Sequence, residues 1–299
     1  VFPEFQVFPL ASKNPSSITL PSYAKINLFL EVLGKRPDGY HELQTVMQEV
    51  SLHDTMSFTR IPHGIELDCD SPEIPSGESN LAWRAAFLMQ EKYPGRGGIR
   101  IVVKKRIPVG GGMGGGSSNA ATTLKAINTL WKLRLTTSKL QSLAAQIGSD
   151  APFFIPGKTA ICTGRGEKVR QIRLKIPLWL LLIFPGFPVS TKEVYANLQT
   201  FLTTPFKRVK LILGAKHGNR AGHGSIVPFN RLELPAFALR PVLRRLKRTL
   251  HNACSGGALL SGSGSSLFGI CQSRKEANLA KKIVDGIRKV ITMVVYARR

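Results

Sequence analysis

Apolar residues along this chain keep two different periods, and the places where one gives way to the other mark its elements. Ile99, Ile101 and Val103 alternate with Arg100, Val102 and Lys104, which predicts a strand with one strongly apolar face. Beyond Gly116, Ala120, Leu124, Ile127 and Trp131 recur at helical spacing, with Ser117 or Ser118 placed to cap the helix. Leu81, Ala85 and Leu88 predict a helix behind Glu78, Ser79 and Asn80, and Ser138, Leu140, Leu143, Ala144 and Ile147 predict another. The longest apolar run, around Pro177 to Phe184, has the length of a buried strand and falls far short of the roughly 18 residues that cross a bilayer. Near the end, Ala258, Leu259 and Leu260 precede, and Leu267, Phe268 and Ile270 follow, a short loop of glycine and serine. Strands and helices interleave as in an α+β protein, and 299 residues exceed the usual size of one core, so two domains are expected.

The break between the first strand and its helix carries the chemistry. Six of the seven residues from Gly110 to Gly116 are glycine, which lets the backbone bend through positive φ and bring its N–H groups close to an anion. The helix that follows adds unpaired N–H groups and the positive end of its dipole. A flexible linker is the plain alternative, but linkers are not flanked by an alternating strand and an amphipathic helix. Gly110, Gly112 and Gly115 satisfy the dinucleotide spacing G-x-G-x-x-G formally. That motif also needs a carboxylate about 20 residues on, and no Asp or Glu stands between Glu91 and Asp150. A P-loop would place Lys and Ser or Thr after the last glycine, where Ser117, Ser118 and Asn119 stand instead. Gly157, Lys158 and Thr159 imitate the P-loop ending, but Pro152 occupies the place of its first glycine.

A glycine loop ending in Ser-Ser-Asn resembles the central motif of the GHMP small-molecule kinases. Ala24-Lys25-Ile26-Asn27-Leu28 is similar to that superfamily's first motif, and the segment Leu260 to Phe268 to its third, in the same order. Arg36 to Leu43, Gly148 to Phe154 and Gly164 to Glu167 are similar to one branch, the kinases that phosphorylate the 2-hydroxyl of a cytidine diphosphate sugar alcohol in the non-mevalonate isoprenoid pathway. The resemblance runs from about Pro21 to the C-terminus. It implies a two-domain GHMP kinase fold with the active site in the cleft between the domains. The expected division is an extension over 1–20, an ATP-binding domain over 21–170 and a second domain over 171–299.

Phosphoryl transfer demands charge neutralisation and alignment, and the acceptor hydroxyl must lose its proton. From residue 92 to residue 166 the only acid is Asp150, which reads either as a turn residue before Pro152 or as a base kept ionised by surrounding positive charge. The resemblance implies the second, with Lys25 as the lysine that polarises the hydroxyl. It also implies that Asn27 lies near the acceptor, that Tyr40 and His41 contact the cytosine, and that Thr191 and Tyr195 line the cytidine side. ATP with magnesium is the expected cofactor. Its phosphates are expected along Pro108, Gly110, Gly111, Gly112, Gly114, Gly115 and Gly116, with Ser117, Ser118 and Asn119 at the helix start. Asn80 and Lys105 are expected beside the base, although Asn80 could equally be an N-cap. Gly262, Ser263 and Gly264, in a loop rich in N–H groups, are expected against the substrate's diphosphate. Tyr40 and His41 follow an Asp-Gly turn signal and could otherwise be a surface hairpin.

Composition adds two expectations. Cys69, Cys162, Cys254 and Cys271 are widely spaced with no C-x-x-C pair, which reads as reduced thiols in a cytoplasmic protein, not as a disulfide frame or zinc site. Forty-two Lys and Arg against 18 Asp and Glu give a formal charge of +24, with eleven cations and one acid, Glu233, between Thr204 and Cys254. Anionic substrates account for a positive cleft but not for so large a surplus, so nucleic-acid binding on this scaffold stays open beside another GHMP kinase activity. Few aromatic residues interrupt the basic run, which argues against base stacking. Gly214 to Ser225, with His217 and His223 six apart and no cysteine nearby, reads as a surface loop, and no metal site is assigned. Residues 1–20 lack both the apolar core of a secretion signal and the arginine bias of a transit peptide. No membrane partner is expected, and the oligomeric state is not specified by the sequence.

Overall fold

The computed structural model describes residues 16–173, 178–198, 228–287 and 289–298. Most of the N-terminal extension, the glycine and histidine loop from Gly214 to Ser225 and part of the expected domain boundary lie outside them. The strands are β1 (Ser17–Lys35), β2 (His41–Ile61), β3 (Ile65–Cys69), β4 (Gly98–Lys104), β5 (Thr159–Gly164), β6 (Lys168–Gln171), β7 (Trp179–Phe184), β8 (Phe229–Asn230), β9 (Ala258–Leu260), β10 (Leu267–Cys271) and β11 (Ile291–Tyr296). The helices are α1 (Leu81–Lys92), α2 (Gly115–Leu130), α3 (Thr137–Ile147), α4 (Thr191–Asn197), α5 (Glu233–Leu239), α6 (Val242–Ala253) and α7 (Arg274–Val284), and a 3-10 turn spans Ala151–Phe154.

Among the described residues the strands form two sheets. The first runs β3-β4-β2-β1-β8, with β5 on the first half of β2 and β6 outside it. The second is antiparallel in the order β11-β7-β10-β9. Helices α1, α2 and α3 cover the first sheet through Phe58, Ile101, Leu124 and Leu143. The second sheet packs on α6 and α7 through Leu181, Leu250, Leu267 and Ala280. A third apolar cluster, in which Ile26 and Phe29 of β1 meet Leu180 and Phe268 of the second sheet, joins the two halves.

That junction explains why β1 does not alternate. Ala24 to Val32 are nine consecutive buried residues, because the strand is covered on both faces. Three of them, Lys25, Asn27 and Glu31, are polar and must find partners inside. Glu31 receives a bidentate pair of bonds from Arg231, at 2.7 and 2.9 Å, which ties β1 to the chain after β8. Lys25 and Asn27 flank irregularities in the β1–β2 register, where the pairing shifts between Tyr23 and Lys25 and again between Asn27 and Phe29. Such bulges turn side chains out of the regular pleat.

Two expectations change. Neither Ser117 nor Ser118 caps α2: the N-cap is Gly114, left-handed at φ +70, and both serines stand inside the first turn. The glycines themselves enter the helix, which a search for a side-chain cap overlooks. The basic run Arg244, Arg245, Lys247 and Arg248 belongs to α6, whose Leu243, Leu246 and Leu250 are buried, so the cations form the outer face of an amphipathic helix and Lys247 pairs with Glu233 at 2.6 Å.

Replacing Arg231 with Met should destabilise the protein by about 3–5 kcal/mol, because it removes both guanidinium bonds to the buried Glu31 carboxylate. Denaturant unfolding measures this, and replacing Glu31 and Arg231 together with apolar residues should cost less than Arg231→Met alone.

Candidate active site

The glycine loop is held from behind. Its carbonyl oxygens are engaged: Gly111 O accepts from Ser266 N at 3.1 Å, Gly112 O from Ser261 Oγ at 3.2 Å, and Met113 O from Lys25 N at 3.0 Å. Each peptide whose oxygen points back turns the following N–H forward. Gly115, Gly116 and Ser117 in the first turn of α2 have no intrahelical acceptor for their N–H groups, and no side chain caps them. The result is a nest of backbone N–H groups at a helix N-terminus, a geometry suited to an anion.

Two cavities flank this loop. One, of about 930 Å³, is lined by Lys25, Asn27, Tyr40, His41, Asp150, Thr191, Tyr195, Gly262 and Ser263 among others. The other, of about 500 Å³, is lined by Asn80, Lys105, Pro108, Asn119 and the whole run from Gly110 to Ser117. Gly112, Gly114, Ser117 and Thr191 border both. Two expected residues line neither. Ser118 is buried and accepts a hydrogen bond from Ser22 Oγ at 2.8 Å, and Gly264 supplies a carbonyl that a Cβ on Gly112 would meet at 2.7 Å.

In the larger cavity Lys25 Nζ donates to Asn27 Oδ1 at 2.7 Å and lies 3.3 Å from Asp150 Oδ2. Asn27 is fixed in turn by donating to Thr45 Oγ1 at 2.8 Å, and Thr45 donates to Phe29 O at 2.6 Å. The Lys25 side chain is 5% exposed and that of Asp150 31%, so the carboxylate faces the cavity while the ammonium stays behind it. Asp150 begins the 3-10 turn without capping it, which leaves its oxygens available.

At the far end Asp38 Oδ1 accepts Tyr40 N at 3.1 Å and Gly39 adopts φ +83, so the Asp-Gly turn displays both rings as expected. Tyr40 is 52% exposed, with the Arg165 guanidinium 4.7 Å from its ring centre. The His41 ring lies 4.8 Å from that of Tyr195, tilted by 34°. Burial, helped by Lys35, holds the His41 imidazole below its ordinary 6.5, while burial and the Asp150 charge push the Tyr195 phenol up. Thr191 Oγ1 and Ser263 Oγ share a hydrogen bond of 2.8 Å across the cleft.

The smaller cavity rests on a buried charge that sequence reasoning missed. Asp54 on β2 accepts the N–H groups of Arg106 and Ile107 at 2.8 and 2.9 Å, and its other oxygen lies 2.5 Å from Lys105 Nζ. Asn119 donates to the same oxygen at 3.0 Å and to Ser22 Oγ at 2.8 Å. Lys105 is thereby held under the start of α2, where a Cβ on Gly115 would come within 3.3 Å of its Nζ. The signal was present: Asp54, Met56 and Phe58 share one face of β2 by alternation and are all buried, which sets an acid on an apolar stripe. Asn80 does cap α1, accepting Ala82 N at 2.8 Å and donating to Pro75 O at 2.8 Å, and it borders the cavity as well.

Comparison with known proteins agrees with this architecture. Residues 80–158 match the GHMP kinases N terminal domain and 209–287 the GHMP kinases C terminal domain. A 4-diphosphocytidyl-2-C-methyl-D-erythritol kinase of Shouchella clausii is 39% identical over 266 residues, covering 89% of this chain and 88% of its own length. Its counterpart from Moorella thermoacetica is 37% identical over 286 residues, covering 94% and 98%. A crystal structure of a 4-(cytidine 5'-diphospho)-2C-methyl-D-erythritol kinase superposes with a TM-score of 0.78 at 34% identity, covering 94% of this chain and all of that one. A homoserine kinase from Cytophaga hutchinsonii, at TM-score 0.66 and 18% identity over 97% of both chains, shares the fold.

Two outcomes check this geometry. The His41 ring should titrate with a midpoint below 6.5 when its proton resonances are followed by NMR, and the stability that its neutral form contributes should be full above that value and lost as the pH falls through the window beneath it. Gly112→Ala should abolish nucleotide binding and lower the unfolding temperature, since φ is +73 and the new Cβ would lie 2.4 Å from Ser261 O. Equilibrium binding and thermal melts read both effects.

Proposed function

This chain belongs to the 4-diphosphocytidyl-2-C-methyl-D-erythritol kinase family of the GHMP kinases, and on that premise we propose how its residues carry out the reaction. The chain transfers the γ-phosphoryl group of ATP to the 2-hydroxyl of 4-diphosphocytidyl-2-C-methyl-D-erythritol in the non-mevalonate isoprenoid pathway. The observation that carries the assignment of roles is the Lys25–Asp150 pair, 3.3 Å apart in a cavity that shares the glycine loop with a second cavity.

ATP occupies the smaller cavity, its base toward Asn80 and its phosphates on the N–H groups from Gly110 to Ser117, with Lys105 adding positive charge beneath. The acceptor occupies the larger one. Its cytosine lies among Tyr40, His41, Thr191 and Tyr195, its diphosphate near Gly262 and Ser263, and its 2-hydroxyl beside Asn27 and Asp150. As the oxygen–phosphorus bond forms and the bond to the β-phosphate oxygen breaks, the hydroxyl proton passes to Asp150 and ADP departs. Lys25, 3.3 Å from the aspartate, orients its carboxylate and draws charge from the attacking oxygen. The neutral imidazole of His41 offers one donor and one acceptor to a base edge.

Magnesium, when it accompanies the nucleotide, supplies neutralisation of phosphate charge. It takes oxygen ligands, mostly from phosphates and water; on the protein, the Ser117 hydroxyl, which borders both cavities, and the Asp150 carboxylate, which lines the acceptor cavity, would hold it. Among the described residues no helix is long and apolar enough to cross a membrane, and the four cysteines are free thiols. We place the reaction in the cytoplasm on the strength of those thiols.

Asp150→Asn should lower kcat by about 10²–10⁴-fold with the KM for ATP little changed. Steady-state ADP release measures it, and a variant that turns over at the parent rate would remove Asp150 from the chemistry. Offered ATP with the cytidylylated methylerythritol, mevalonate or homoserine, the parent protein should release ADP with the first alone.

A further inference from the structure

A third cavity, of about 830 Å³, shares no residue with the two that flank the glycine loop. It lies across the beginning of β1, the middle of α2 and the chain from Phe154 to Lys158, with Arg298 at one wall. Its floor is apolar: Ile18, Leu20, Phe154 and Pro156, beside the ring of Tyr23, on which Arg298 stacks at 3.5 Å.

The charges around this floor do not balance. Among the described residues lining it, Lys125, Lys158 and Arg298 face a single carboxylate, Glu49. Glu49 is buried and already committed, accepting from Arg298 Nη1 at 2.7 Å and from the backbone N–H of Lys158 at 3.1 Å. Neither Lys125 nor Lys158 forms an ion pair with a carboxylate among the described residues. Lys125 Nζ uses one donor on Phe154 O at 3.1 Å and has two more. Burial holds this ammonium below the usual lysine range, with Glu49 opposing that shift and Arg298 adding to it. A partly buried cation with no carboxylate at ion-pair distance gains from an anion that reaches it.

We propose that this cavity is a second ligand site, for a small phosphomonoester on a compact apolar body, with the phosphate between Lys125 and Lys158 and the body on Ile18, Leu20, Pro156 and the Tyr23 ring. Two ammonium groups with no ion-pair partner among the described residues match the charge of nearly −2 on a phosphomonoester, and the floor matches an apolar substituent. The site is distinct from the nucleotide loop, although Phe154 belongs to both neighbourhoods: a Cβ on Gly114 would meet its ring at 2.9 Å.

Calorimetric titration of the full chain with phenyl phosphate, in the presence of a saturating non-hydrolysable ATP analogue, tests the proposal. One equivalent should bind, about tenfold or more tightly than inorganic phosphate, phenol or benzoate. Lys125→Met and Lys158→Asn should each weaken phenyl phosphate about tenfold or more. Lys158 is exposed at φ +64, a conformation asparagine tolerates, so that variant keeps the fold if the Lys125 change does not. Absence of binding, binding that the ATP analogue removes, equal affinity for inorganic phosphate, or binding unaffected by Lys158→Asn would each overturn it.

Discussion

Main chain against main chain is the contact on which the site depends. At Gly112 the backbone approaches that of Ser261 and Gly264 so closely that no side-chain carbon fits between them. The two loops come from different halves of the molecule, and their carbonyl bonds hold the glycine loop in one orientation. A softer contact through side chains would let the peptide planes rotate, and a rotated plane presents an oxygen where a phosphate needs a donor. Glycine is therefore demanded twice over, by the approach and by positive φ.

Polar groups in the interior follow the same logic of fixed orientation. β1 crosses the centre of the molecule and carries a lysine, an asparagine and a glutamate through it, each held by at least one partner at hydrogen-bond distance. Asp54 does for Lys105 what Asn27 does for Lys25: it takes a flexible chain tipped with charge and gives it one address. Preorganised charge of this kind costs no rearrangement when an anion arrives.

Much of this was legible beforehand, because it rests on local pattern. The strand from Ile99 to Lys104, the helix that carries Ala120, Leu124 and Ile127 though not its start at Gly115, the Asp-Gly turn before Tyr40 and the short loop around Gly262 each follow from spacing and from residues with restricted conformations. What was not legible is tertiary. Nothing in the local sequence told that Ser118 turns inward to Ser22, ninety-six residues away, or that Gly264 supports the loop instead of lining the cavity. Asp54 stood on an apolar face, a sign that could have been weighed, but its partner Lys105 lies on a neighbouring segment reached only through the β2–β4 pairing. The basic surplus resolved in part into the outer face of α6, none of whose cations lines either cavity beside the glycine loop.

The two chambers meet along Gly112, Gly114, Ser117 and Thr191, and each has its own lining elsewhere. A thin partition of this sort lets both reactants be present together and requires neither to leave before the other enters. With ATP and acceptor placed as proposed, the phosphoryl group crosses in one displacement, without a stop on the enzyme, and a single displacement inverts the configuration at phosphorus.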